Sequence, residues 1–119
     1  MFHAKIAVIF IFFAFAFSSC VNSKPTRYVI ADSKTYEASL FRQNCAICHG
    51  PEGDGKTLDD GKIVPSLREG ELKFKTQAEI QKQITEGGNG MLPFRDQLSE
   101  REIKLMVNFV HDNLRSEKK

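Results

Sequence analysis

The five residues Cys45-Ala46-Ile47-Cys48-His49 constrain this chain of 119 residues more than any other stretch of it. Two thiols three positions apart sit on adjacent turns at the end of a helical pattern, and a histidine follows at once. A redox-active dithiol normally opens a helix after a strand, whereas this pair closes a helix. A zinc site needs two further ligands at clustered spacing, and the sequence offers none. The remaining chemistry for C-x-x-C-H is covalent haem attachment. Both thiols can reach the two vinyl groups along one edge of a porphyrin, and the histidine then lies under the iron. One covalently bound haem c is therefore expected, held by Cys45 and Cys48, with His49 as an axial iron ligand.

The N-terminus is unlike the rest. Met1 to Lys5 is short and carries one cation, Ile6 to Phe17 is an unbroken apolar run, and Ser18-Ser19-Cys20 closes it with small residues. This is the three-part layout of a secretory signal, expected over residues 1–19. The run falls short of the roughly 18 to 20 residues needed to cross a bilayer core, so a retained transmembrane anchor is the weaker reading. Phe17-Ser18-Ser19-Cys20 resembles a bacterial lipobox, with Phe17 where an aliphatic residue is usual. That likeness implies lipidation of Cys20 and a place on the periplasmic side of a bacterial membrane. Plain cleavage nearby, with Cys20 a leftover thiol, is the alternative. An unpaired exposed thiol is a liability in an oxidising compartment, and lipidation removes it.

Cleavage before Cys20 would take only Lys5 from the 17 basic side chains and none from the 15 acidic ones. The mature chain is then nearly neutral, which predicts no nucleic-acid partner. At about 100 residues it lies near the lower limit for a self-sufficient core, so a large apolar cofactor at its centre would add burial that side chains alone do not supply.

Residues 20–32 are polar, contain Pro25 and read as a tether. Residues 33–116 read as the folded domain. Ser33 can cap a first helix running to about Ala46, with Tyr36, Leu40, Phe41 and Cys45 at helical spacing. From Gly50 to Thr76 the chain is rich in glycine, with Pro51 and Pro65, and reads as a long loop wrapped around something. Thr76 caps a second helix to about Glu86, with Ile80 and Ile84 on its buried side, and Gly87-Gly88-Asn89-Gly90 ends it. Ser99-Glu100-Arg101-Glu102 opens the last helix as a capping box. Ile103, Met106, Val107, Val110 and Leu114 form its apolar stripe, widened by Phe109. No strand-length alternating run occurs, so the expected class is all-α, with three main helices around the haem.

Four features together resemble class I cytochrome c, the small single-haem electron carrier, over about Tyr36 to Leu114. Leu40-Phe41-Arg42-Gln43-Asn44 and the motif after it are similar to the family's haem-binding helix end. Gly50, Gly53, Asp54, Gly55 and Lys56 match its glycine-rich loop. Ile63-Val64-Pro65-Ser66-Leu67 is similar to the segment whose proline carbonyl accepts a hydrogen bond from the axial histidine, which implies that role for Pro65. Gly87 to Phe94 is similar to the loop that delivers a methionine ligand, which implies Met91 as the second metal ligand. Tyr36, Glu37 and Ala38 stand where the family often has glycine, which implies a wider or displaced crossing of the first and last helices.

Met106, the other mature methionine, sits at core spacing on a helix, where methionine is more often packing than ligand. Met91 follows a glycine-rich turn where a large apolar residue has little reason to be unless it turns inward. An open sixth position remains the alternative. His111 reads as solvent-facing or partly packed. Asp59, Asp60, Lys62, Arg68, Lys73 and Lys75 could meet propionates or partners, although loop charges are more often solvated.

With imidazole and thioether in both axial positions no substrate site is left, so no catalytic residue and no small-molecule substrate are expected. The resemblance implies one-electron transfer between redox-protein partners in a periplasmic or membrane-surface chain. Two rivals share the haem: a subunit of a larger oxidoreductase, and a haem-based sensor if Met91 is labile. A haem-free dithiol binding module is the third.

Overall fold

The computed structural model describes residues 27–115. The expected signal peptide, Cys20 and most of the expected tether lie outside the described residues.

Helix α1 spans Tyr36–Asn44, and Thr35, not Ser33, caps it: Thr35 has extended backbone and its Oγ1 accepts from the Ala38 N–H at 3.3 Å. The Ser33 hydroxyl is engaged instead with the Tyr28 hydroxyl at 2.6 Å. The helix stops short of Ala46, because Cys45 adopts φ −112° and breaks the regular winding. One further turn, α2 (Ala46–His49), follows and ends at Gly50, whose φ of +80° favours glycine.

Helix α3 (Gln77–Glu86) begins in a complete capping box of Thr76 and Glu79, and Ile80 and Ile84 are its buried residues. Helix α4 (Glu100–Asn108) begins in a second one, Ser99 with Glu102. It continues as a π-helical segment, Phe109–Leu114, which keeps Phe109, Val110 and Leu114 all buried. Phe109 meets Tyr28 edge-on at 5.3 Å and Phe41 at 5.9 Å between ring centroids, an arrangement worth about 1 kcal/mol per pair beyond burial. Helix α4 packs against both α1 and α3. The core is built from Ala38, Leu40 and Phe41 of α1, Ile80 and Ile84 of α3, Leu98, the stripe of α4 and its π-helical end, and Ile30.

The all-α expectation needs correcting in two respects. The fold is helical but carries a small antiparallel hairpin, β1 (Lys56–Thr57) with β2 (Ile63–Val64), pairing Lys56 with Val64 and Thr57 with Ile63. Strands of two residues are too short to show an alternating pattern. The helical segments number four among the described residues, because Cys45 divides the first.

The expected tether also ends earlier than residue 32. Ile30 is fully buried, and the Ile30 and Ala31 N–H groups both donate to the Glu52 carboxylate at 2.8 Å. Arg42 donates to the Ser33 carbonyl at 3.0 Å, and Arg68 to the Tyr28 carbonyl at 2.8 Å. Arg27 forms a salt bridge of 2.6 Å with Asp54. Residues 27–33 thus form a strap on the folded body, and burying Ile30 alone contributes about 2 kcal/mol.

Candidate haem site

The loop after His49 folds back on the helix that precedes it. Gly55 N–H donates to the His49 carbonyl at 2.9 Å, Gly53 N–H to the Gly50 carbonyl at 3.1 Å, and Leu67 N–H to the Gly53 carbonyl at 2.9 Å. Gly53 is buried, and a Cβ there would touch Phe41 and Leu114 at 3.5 and 3.4 Å. The loop therefore lies on the core and brings β2 and Pro65 to the end of α2. This approach needs the glycine at Gly55: at φ +83° a Cβ would overlap the Val64 carbonyl oxygen and stand 2.8 Å from the Pro65 carbonyl carbon.

Cys45 and Cys48 are both free thiols, Cys45 partly buried and Cys48 exposed. Burial pushes the Cys45 thiol up to about 12, and the neighbouring Cys48 adds to the shift. Cys45 is therefore a neutral thiol at physiological pH, not an activated thiolate, which disfavours redox-dithiol chemistry.

Burial lowers the pKa of His49 below its ordinary 6.5, while the Pro65 backbone carbonyl acts in the opposite sense. Nδ1 of His49 is buried and makes no hydrogen bond of full geometry, with the Pro65 carbonyl the backbone group that acts on the ring. A buried imidazole nitrogen left unsatisfied is uncommon and marks a place where another group completes the structure.

Met91 is half-buried against the core. Two backbone hydrogen bonds between Gly88 and Met91, 2.9 and 3.0 Å, close the turn that presents it. Gly87, at φ +70°, permits the turn, since a Cβ there would lie 2.6 Å from the Met91 carbonyl oxygen. The Gln83 amide reaches the turn from α3, donating to the Gly88 carbonyl at 2.9 Å and to Met91 Sδ at 3.6 Å. Sequence reasoning missed Gln83, whose polar side chain reads as one more exposed residue of an amphipathic helix. Met106 is 1% exposed in the core, as its spacing predicts. His111 is half-exposed beside Asp112. Arg68 corrects the view of loop charges as solvated: it is 4% exposed and donates to Glu52 and Tyr28.

These residues fit a porphyrin better than a bare ion. Among the described residues no group of three or more His, Cys, Asp or Glu side chains is placed to hold a metal ion. The imidazole of His49 and the thioether of Met91 are donor types suited to a macrocycle that fills the remaining positions itself. The three segments concerned each leave a large apolar side chain uncovered: Ile47, Ile63 and Leu92 are 74, 75 and 70% exposed. A shallow recess of about 440 Å³ lined by Leu72, Lys75, His111, Asp112 and Arg115 is elsewhere, and none of these is a candidate haem residue.

The helical fold and the C-x-x-C-H turn with free thiols define a small c-type cytochrome. The family described as cytochrome c oxidase, cbb3-type, subunit III matches the chain over residues 36–110, from the first residue of α1 into the π-helical end, and the chain belongs to that family. Its cofactor is accordingly a covalently bound haem c with its iron, and its general chemistry is electron transfer. No curated protein and no solved structure matches the chain. Among the described residues no helix is long and apolar enough to cross a membrane.

Proposed function

We propose that this protein is a one-electron carrier in which Cys45 and Cys48 hold a single haem c, His49 and Met91 ligate the iron axially, and the Pro65 carbonyl orients His49. The observation that carries the reading is the turn itself: two unpaired thiols and, directly after them, a half-buried imidazole with an unsatisfied Nδ1. When bound, the haem supplies an iron(III)/iron(II) couple. Burial keeps His49 neutral, the form that ligates, and closing the bond to Pro65 would set its ring orientation and raise its basicity. The uncharged thioether of Met91 favours the reduced state. With both positions filled by the chain's own side chains, water and small molecules are excluded from the metal, so residues here position and insulate rather than catalyse.

The apolar run and Ser18-Ser19-Cys20 support export with removal of residues 1–19 and lipidation of Cys20. Residues 20–26 then link a periplasmic membrane surface to the strap at Arg27, and the partners are redox proteins that donate and accept electrons. The family's description as an oxidase subunit supports a second reading, in which the same domain passes electrons within a larger oxidase complex. The two separate by purification: co-isolation with a membrane oxidase favours the subunit, and isolation alone favours the free carrier.

Redox titration of the holoprotein tests the shared core of both. A single one-electron wave, a weak near-infrared methionine-to-iron band lost in Met91→Ala, and no binding of carbon monoxide by the reduced protein are expected. Ready carbonylation would overturn His/Met ligation and favour a sensor.

A further inference from the structure

We propose that Gln83 is a positioning residue for Met91, presenting an amide N–H to the thioether sulfur and so setting how firmly that sulfur serves a metal. The inference rests on the reading of Met91 as an axial ligand and goes beyond it.

The geometry starts in α3. Gln83 is one residue before the buried Ile84, on the border of the core-facing side, and is itself half-buried. Its backbone carbonyl accepts the Gly87 N–H at 2.9 Å, which ends the helix, and its side chain runs on over the turn that follows. There the amide nitrogen meets the Gly88 carbonyl at 2.9 Å and Met91 Sδ at 3.6 Å. The Gly88 carbonyl can only accept, so the nitrogen end of the amide must face it, and this fixes which end faces the sulfur. The same carbonyl accepts the Met91 N–H at 3.0 Å, so one acceptor aligns both the backbone of Met91 and the group that touches its side chain.

A thioether sulfur has two lone pairs. With an N–H on one, the other remains for a metal, and the side chain loses the rotamer freedom that would let it swing away. A thioether favours ferrous over ferric iron, so a sulfur held in place also keeps the potential high.

The test uses ferric holoprotein of the full chain, with Gln83→Leu and the helix-favouring Gln83→Ala as neutral replacements. Imidazole is titrated in while the near-infrared methionine-to-iron band is followed, and the reduction potential and thermal unfolding are measured alongside. We expect both variants to keep the band, to lose Met91 to imidazole about fivefold more readily, as for the loss of one hydrogen bond, and to have a lower potential. Unchanged imidazole affinity and potential in both variants would overturn the proposal, including the case in which only thermal stability falls, which would make Gln83 merely structural. Wild-type protein that lacks the band and is spectrally identical to Met91→Ala would overturn the ligand reading itself, and Gln83 with it.

Discussion

Gly55 and Pro65 pass so close that the chain has no room for a side chain between them: a Cβ on Gly55 would lie 2.8 Å from the carbonyl carbon of Pro65. The backbone at Gly55 is also left-handed, at φ +83°. That contact brings the Pro65 carbonyl up to His49, so an ordinary-looking glycine shapes the surroundings of the imidazole proposed as an axial ligand.

Gly55→Ala therefore meets both strain and overlap. We expect a loss of about 2 to 3 kcal/mol of stability, the upper part of the range for a strained backbone position. Thermal unfolding of the holoprotein gives the stability. Displacement of Pro65 should also raise the reduction potential, because a less basic imidazole stabilises the oxidised state less. Gly61→Ala, where φ is likewise positive but a Cβ would meet nothing within 4 Å, is the control.

Tyr36 donates a hydrogen bond of 2.6 Å to Glu102, tying the start of α1 to the start of α4. That bond and those from Ser99 bring the Glu102 carboxyl down to about 2, and the same bond raises the Tyr36 hydroxyl above 10. The pair needs a protonated phenol and an ionised carboxylate. Its stabilisation is present above the ordinary carboxylate pKa of 4.5, is lost as pH falls toward 2, and is lost again as pH rises through the Tyr36 pKa above 10. Tyr36→Phe should thus lower the melting temperature at neutral pH, with the gap from wild type closing at both ends of a pH series.

Glu52 holds the strap at Ile30 and Ala31 and faces Arg68, whose side chain is 2% exposed. Glu52→Ala removes the carboxylate from a buried guanidinium and is expected to destabilise the protein by about 3 kcal/mol. Hydrogen exchange adds a local signature: the amides of Ile30 and Ala31 should lose protection first, while those of α3 keep it.

The two later helices are legible in the sequence because their capping boxes are written in four adjacent residues, Thr76 to Glu79 and Ser99 to Glu102. The C-x-x-C-H turn is legible for the same reason. What escapes is set by distant partners. Tyr28-Val29-Ile30 is too short to show a period, and it becomes a strap only because Glu52, Arg68 and Phe109 meet it. The π-helical end of α4 keeps Phe109 against Tyr28 and Phe41, neither of which is near in sequence. Gln83 gives no signal, because only the turn eight residues away shows what its amide is for. Tyr36 stands where a small residue was expected at the helix crossing, and it acts by reaching out to Glu102.

The central claim is that Cys45 and Cys48 attach one haem, and intact mass under denaturing conditions tests it most directly. The full chain is produced with a haem-attachment system, extracted with acid and organic solvent, and weighed beside a variant carrying Cys45→Ser and Cys48→Ser. The account predicts the mass of the polypeptide plus one haem for the wild type and the polypeptide alone for the variant. A wild-type mass without haem would contradict it.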